Sequence, residues 1–296
     1  MPAPALETAV CPLCDSPGEP RYVQRDLYCG LEGEFGQNFC AACDLYFLSP
    51  RVRESEIGRY YPESYGPYRS APTSGLLYRV AGALAMPHRR RRVVERFVNG
   101  GRILDAGCGS GDFLRALDGT RWQRFGVDLS QPDDMPFPGE FHAGRFDGEP
   151  PPLENLDAIT LWHVFEHLYR PQKALANAAA LLRPGGFLFV AIPDRTSLER
   201  WLFGKHWIGW DPPRHVATYS ARAMERLLAK CNVHLRAILP DATGDVWSHN
   251  VDWALRARGI SSRLHPSLAL RALFSPVAFV LNRFGLSSAK VYVAQK

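Results

Sequence analysis

The first chemical signal is the run Ile103-Leu104-Asp105-Ala106-Gly107-Cys108-Gly109-Ser110-Gly111, an apolar segment that ends in an acid and passes into a glycine-rich turn. A second acid, Asp128, closes Gly126-Val127-Asp128, 17 residues after Gly111. Glycines let the backbone approach a ligand where a Cβ would block it. A carboxylate at the tip of the next strand can accept both hydroxyls of a ribose. The turn has no Gly-Lys-Ser/Thr ending to cradle a phosphate, and no G-x-G-x-x-G follows the strand. These residues predict a nucleoside-bearing ligand without a pyrophosphate.

Cysteine spacing gives the second signal. Cys11-Pro12-Leu13-Cys14 and Cys40-Ala41-Ala42-Cys43 are two C-x-x-C knuckles with 25 residues between them. Each knuckle can present two thiolates to one metal, and two pairs complete a tetrahedral site. With Tyr22-Val23 and Phe35 to Phe39 as short strands, residues 1–50 are expected to form a zinc ribbon, a domain whose small core needs the metal. Four thiolates leave no open position, so the zinc is expected to be structural. The other three of the seven cysteines, Cys29, Cys108 and Cys231, are expected to be ordinary thiols. The N-terminus has no basic region followed by an apolar stretch, so a cytoplasmic chain is expected. The net charge of +5 is mild for a nucleic-acid binder. Part of it sits in Arg89-Arg90-Arg91-Arg92, read as a solvated helix face or as a contact for an anionic partner.

The elements that must hold these residues alternate between strand and helix patterns, which predicts a parallel sheet covered on both faces. Strands are expected at 102–105, 125–128, 140–143, 156–161, 187–192, 233–239 and 290–294, and helices at 89–98, 112–117, 171–182 and 221–230. Residues 51–84 read as a linker whose Tyr60, Tyr61, Tyr65 and Tyr68 could wall a substrate or pack the linker down. Residues 69–76 read as a flexible connection. Residues 252–286 form a long helical insert before the last strand, interrupted by Pro266 and Pro276, with Arg256, Arg258, Arg263 and Arg271 on its flank. Its apolar stretch from Leu273 to Leu281 is too short to span a bilayer. A lid, a homodimer contact and a membrane-surface helix all suit it.

The four segments Asp105 to Gly111, Gly126-Val127-Asp128-Leu129-Ser130, Leu156 to Leu168 and Leu181 to Ala191 come in the order found in class I S-adenosylmethionine-dependent methyltransferases, which residues 85–296 resemble. The resemblance implies an α/β fold, a Rossmann-like seven-stranded sheet with its last strand antiparallel beside the fifth, behind a small N-terminal zinc-ribbon domain. It implies S-adenosyl-L-methionine as cofactor. Asp105, Ala106, Gly107, Gly109 and Gly111 would surround the methionine part, Asp128 would bind the ribose and Leu129 would flank the adenine. Phe146 and Asp147 would contact the adenine, although Pro150-Pro151-Pro152 departs from the usual pattern there. Trp162 and His163 would close the site. The stretch from Cys11 to Tyr65 resembles the ribbon-plus-linker that precedes bacterial methyltransferases acting on carbohydrates and small metabolites.

His163-Val164-Phe165-Glu166-His167 also matches H-x-x-E-H, a zinc-hydrolase motif that requires a helix. Here it follows a strand pattern, so Glu166 is expected to be structural or cofactor-side and His167 a packed histidine. The aromatic loop His206 to His215 faces the acceptor side. His215 is the candidate general base, Asp211 its orienting acid and Arg214 a partner for an anionic substrate. Ser220, with Thr218 and Tyr219, is expected to cap the next helix. The reading is a methyltransferase acting on a small-molecule or sugar acceptor. An RNA base methyltransferase and a non-catalytic binding protein that has kept the fold are the alternatives.

Overall fold

In the computed structural model, residues 4–62, 86–130, 137–241, 244–260 and 268–296 are described. The N-terminal part contains β1 (Leu6–Glu7), β2 (Glu19–Gln24), β3 (Phe35–Cys40), β4 (Leu45–Leu48) and β5 (Arg51–Val52). β2, β3 and β4 form an antiparallel meander, and β1 pairs with β5. A 3-10 turn over Glu54–Tyr60 follows and buries Ile57 and Tyr60. The start of the expected linker is therefore built structure, while Tyr65, Tyr68 and residues 69–76 lie outside the described residues.

The main part runs α1 (Met86–Glu95), β6 (Gly101–Ala106), α2 (Asp112–Ala116), β7 (Trp122–Asp128), β8 (Glu140–Ala143), β9 (Leu156–Trp162), α3 (Pro171–Leu181), β10 (Leu182–Pro193) and α4 (Leu198–Phe203). It continues through β11 (Ala217–Tyr219), α5 (Ala221–Lys230), β12 (His234–Pro240), α6 (Gly244–Arg256), α7 (Leu268–Arg283) and β13 (Ala289–Gln295). The seven-stranded sheet has the order β12-β13-β10-β9-β6-β7-β8. β13 is antiparallel to both of its neighbours, while β10, β9, β6, β7 and β8 are mutually parallel. The central strands are largely apolar, as strands covered on both faces are expected to be: Ile103, Leu104, Ile159, Leu161, Val190 and Phe189 are completely buried. Parallel strands all present their carboxyl ends at one edge, and Asp105, Asp128, Trp162 and His163 therefore meet there.

One strand does not belong to the large sheet. β11, from the loop before α5, pairs antiparallel with β4, with Ala217, Thr218 and Tyr219 opposite Phe47, Tyr46 and Leu45. Cys11, Leu13, Cys40, Cys43, Leu45 and Phe47 also share one buried cluster with Phe165, Leu175, Tyr219, Met224 and Leu228. The ribbon and the main part thus share both a sheet and a core, and a division at residue 50 cuts through both. Thr218 and Tyr219 lie in this strand, so the cap of α5 is Ser220 alone, whose hydroxyl accepts from the Ala223 amide. The C-terminal insert begins at Gly244, earlier than expected, and its two helices pack on each other, with Trp247 stacked on Phe274. Among the described residues no helix is long and apolar enough to cross a membrane.

Candidate functional site

β6 ends at Asp105 and Ala106, and the chain then turns through Gly107, Gly109 and Gly111, all with positive φ. At Gly107 the constraint is also steric: a Cβ would lie 2.3 Å from Val164 Cγ2. Gly109 faces open space instead, with nothing within 4 Å of where its Cβ would be. The turn is stitched to β7 by the amides of Gly107 and Cys108, which donate to Val127 O. The Asp128 carboxylate accepts from Gly109 N at 2.8 Å and Leu129 N at 2.7 Å. Burial lifts its pKa above the ordinary carboxylate value against these two bonds. Asp105 is 3% exposed and accepts from Thr160 Oγ1 at 2.6 Å. Its burial outweighs that bond and pushes its pKa up to about 7. Leu129 is exposed at the rim. The structure thus brings Asp105, Ala106, Gly107, Gly109, Gly111, Asp128 and Leu129 onto one turn and its neighbouring strand tip.

Phe146 and Asp147 are used differently from the expected adenine contact. The Phe146 ring is 3% exposed in the core, and its carbonyl accepts from Asn177 Nδ2. Asp147 is fully buried and accepts from Arg145, from Tyr169 N and from Arg170 N. It holds the chain that enters α3. In this structure both side chains are turned into the scaffold rather than toward the turn at Asp128.

Trp162 is buried at the end of β9 against Phe113, with ring centroids 5.4 Å apart. Arg90 lies over its other side, 5.1 Å from the ring centroid, within range for a cation–π contact. Among the described residues Arg90 Nε is buried without a hydrogen-bond partner, and Asp241, Asp105 and Glu166 are the acids whose field it feels. Burial pulls its pKa down. The sequence treats the four arginines alike, as a solvated helix face or as a contact for an anionic partner. The signal that separates them is the one-turn spacing from Arg90 to the fully buried Val94, whereas Arg92 is exposed.

His163, which follows Trp162, has φ +58, a left-handed conformation uncommon outside glycine. Its Nδ1 stands 3.4 Å from Glu166 Oε1 and its Nε2 3.5 Å from Asp241 Oδ2. Burial alone would favour the neutral ring, but the two carboxylates outweigh it and raise its pKa to about 9. Glu166 and His167 sit on a 3-10 turn, Phe165–His167, so the H-x-x-E-H spacing is not displayed on an α-helix. Burial and the neighbouring His215 push the His167 pKa down to about 4.

The loop before β11 brings His215 to the same place. His215 Nδ1 lies 2.9 Å from Gly209 O, and its Nε2 lies 4.0 Å from Glu166 Oε1 and 4.0 Å from Asp211 Oδ2. The carbonyl of Gly209, rather than Asp211, orients the ring. Asp211 instead makes a two-pronged contact with Arg214, at 2.6 and 2.9 Å. Arg214 is completely buried and forks equally onto Asp26 of the ribbon, at 2.6 and 3.1 Å. Its guanidinium also donates to Tyr60 O. Arg214 is thus a weld between ribbon and loop rather than a group presented to a substrate, and its neighbour Tyr60 packs in the core rather than forming a wall.

In the ribbon, Cys11, Cys14, Cys40 and Cys43 bring their sulfurs within 4.8 Å of one another, with three of the four buried. That separation and an all-sulfur donor set fit a tetrahedral zinc ion.

Residues 78–237, more than half of the chain, match the family described as Methyltransferase domain. Two curated relatives are named "Ubiquinone biosynthesis O-methyltransferase". The one from Idiomarina loihiensis is 30% identical over 129 residues, covering 38% of this chain and 52% of its own. The one from Bradyrhizobium diazoefficiens is 27% identical over 171 residues, covering 53% and 67%. The chain thus spans about half the length of the first and two thirds of the second. A solved structure, a SAM dependent methyltransferase from Archaeoglobus fulgidus, is 20% identical with a TM-score of 0.46, covering 71% of this chain and 92% of that one. On the extent of the family match, this chain belongs to the methyltransferase domain family.

Proposed function

We propose that the chain methylates an oxygen of a small-molecule acceptor, with Asp105 to Gly111, Asp128 and Leu129 holding the cofactor and His215 receiving the acceptor's proton. The observation that carries the reading is the position of His215 Nε2. Its ring is fixed through Nδ1 by Gly209 O, and it faces the buried carboxylate of Glu166. The relatives' name, an O-methyltransferase, supports the same choice of atom.

The residues present fit S-adenosylmethionine. Open space at Gly109, two acids at adjoining strand tips and the buried Arg90 Nε and Trp162 Nε1, unpartnered among the described residues, make a polar cradle beside an aromatic wall. When bound, the cofactor supplies a methyl group on a sulfonium, and transfer to oxygen leaves S-adenosylhomocysteine and releases the acceptor's proton. Asp128 would accept ribose hydroxyls, Asp105 would lie toward the methionine end, and Arg90 would offer a cation to the methionine carboxylate. The protein's main task is alignment, and a base is required because a hydroxyl must lose its proton. Gly209 O keeps the His215 proton on Nδ1, so Nε2 is the accepting atom. Glu166 steadies the imidazolium that forms. The four cysteines hold a structural zinc.

The RNA reading loses support from α1. Arg90 is turned inward, and Arg91 is bonded to Ala116 O and paired with Glu95, which leaves Arg92 as the exposed member of the run.

The test is calorimetric binding of S-adenosylhomocysteine, followed by methyl transfer to a panel of phenolic and sugar hydroxyls. Asp128→Ala removes a charged acceptor of two hydrogen bonds, each worth about 1.5–3 kcal/mol, and should weaken binding at least ~100-fold. His215→Ala should retain binding and lose transfer. No binding by the wild type, or unchanged binding by Asp128→Ala, would overturn the assignment.

A further inference from the structure

The reading above uses one nitrogen of His215 and leaves its surroundings unexplained. Glu166 is 1% exposed, and neither carboxylate oxygen has a hydrogen-bond partner among the described residues. A buried carboxylate is normally saturated with donors, because stripping its water is costly. The His163 ring covers one side at 3.4 Å, too long for a good hydrogen bond. The other side faces two imidazoles, His167 and His215, whose rings meet edge to face with centroids 4.6 Å apart.

Both imidazoles are held in the same way. His215 Nδ1 is 2.9 Å from Gly209 O, and His167 Nδ1 is 3.1 Å from Arg214 O. A carbonyl oxygen only accepts, so the Gly209 contact puts the His215 proton on Nδ1 and keeps that ring's lone pair on Nε2. Tyr61 Oη, 2.9 Å from His167 Nδ1, adds a second contact to that nitrogen. A backbone carbonyl on the far nitrogen is the usual outer partner of a metal-bound histidine, because it fixes both tautomer and ring orientation. One ring nitrogen from each histidine and one oxygen of Glu166 all lie within 4.8 Å of one another.

We propose that Glu166, His167 and His215 form a binding site for a divalent first-row transition ion, separate from the four cysteines of the ribbon. Two imidazoles and one carboxylate suit zinc, iron or manganese better than the all-oxygen preferences of calcium and magnesium. Three protein ligands leave coordination positions open. The sequence motif contributes Glu166 and His167 through a 3-10 turn rather than through helical spacing, and the third ligand comes from 48 residues further along the chain.

The site goes beyond the acceptor reading and does not depend on which acceptor is used. With an ion in place, the His215 lone pair would be a ligand rather than a base, and the ion would lower the pKa of a coordinated acceptor hydroxyl so that its proton could pass to solvent water. Metal-free and metal-loaded protein therefore differ in the group that handles the acceptor's proton.

The probe is Co2+ added to the full-length protein as purified, read by optical absorption and by calorimetry. Cobalt in this site gives ligand-field bands without the intense thiolate-to-cobalt charge transfer that marks binding to the ribbon cysteines. Those bands should appear at one equivalent in the wild type. They should be lost in His215→Gln and in His167→Gln, with S-adenosylhomocysteine binding retained as the check that both variants fold. Two results overturn the proposal: only the thiolate-type spectrum in the wild type, or ligand-field bands that persist in both variants. Either can occur while S-adenosylhomocysteine still binds, so the site can fail without the methyltransferase reading failing.

Discussion

Removing the Arg214 guanidinium should unfold the chain at a markedly lower temperature, although it touches neither the glycine turn nor Asp128. Arg214 is completely buried, and Asp26 and Asp211 are at most 5% exposed at the side chain. Solvent therefore screens none of the pairings appreciably. The guanidinium makes four short contacts to two carboxylates and a fifth to Tyr60 O. Arg214→Met deletes the cation that both acids share and leaves two buried negative charges about one guanidinium's width apart. Breaking a buried pair from one side costs about 3–5 kcal/mol. At roughly 2 °C per kcal/mol for a chain of this size, Tm should fall by about 6–10 °C in scanning calorimetry. Arg214→Lys keeps the charge but cannot fork onto two carboxylates at once, so it should recover roughly half of the loss. A Tm within about 2 °C of wild type for Arg214→Met would refute the view that this ion triad joins ribbon to loop.

Two further outcomes follow from the same structure. Asp105 has a folded pKa of about 7, raised by burial above its ordinary value, so the unfolded chain ionises first as pH rises. Its contribution to stability is present below about pH 4 and is lost as pH rises through 7, an effect of at most a few kcal/mol. Urea unfolding of wild type and Asp105→Asn at pH 5 and pH 8 should show a smaller fall with pH in the variant, and parallel curves would contradict this. Separately, chelation that strips the ribbon metal should lower methyl transfer as well as ribbon order, because β4 carries β11. Hydrogen exchange should show Val216 to Tyr219 losing protection together with Leu45 to Leu48, and loss confined to the ribbon would contradict that coupling.

The parts of this molecule legible in its sequence are those governed by local rules. The glycine turn was readable because positive φ at Gly107, Gly109 and Gly111 demands that residue type. The large sheet was readable because strands buried on both faces leave largely apolar runs, and α5 because Ser220 caps a strongly amphipathic segment. What sequence could not show were long-range pairings. Arg214 reads as a free cation in a polar loop until Asp26, 188 residues away, is found against it. Asp147 reads as a ligand contact until Arg145 and the amides of Tyr169 and Arg170 are seen to use its oxygens. β11 is only three residues long and pairs with a strand 170 residues earlier, so no periodicity could announce it.

Those long-range pairings converge on one residue. His215 is followed by Val216, whose amide donates to Glu166 O and whose carbonyl accepts from Leu48 N. It is preceded by Arg214, which clamps Asp26 and Asp211 and whose carbonyl accepts from His167. The backbone on either side of the candidate base is thus tied to the ribbon on one hand and to the Glu166 turn on the other. A loop leaving a sheet edge is ordinarily the most mobile part of such a fold, yet a proton-accepting nitrogen must be held within a few tenths of an ångström of its working position. β4 meets this need by turning the exit of the loop into a strand. A metal held by the four cysteines would then stabilise the geometry of the candidate base at a distance, because the strand it would order is the one on which β11 is laid.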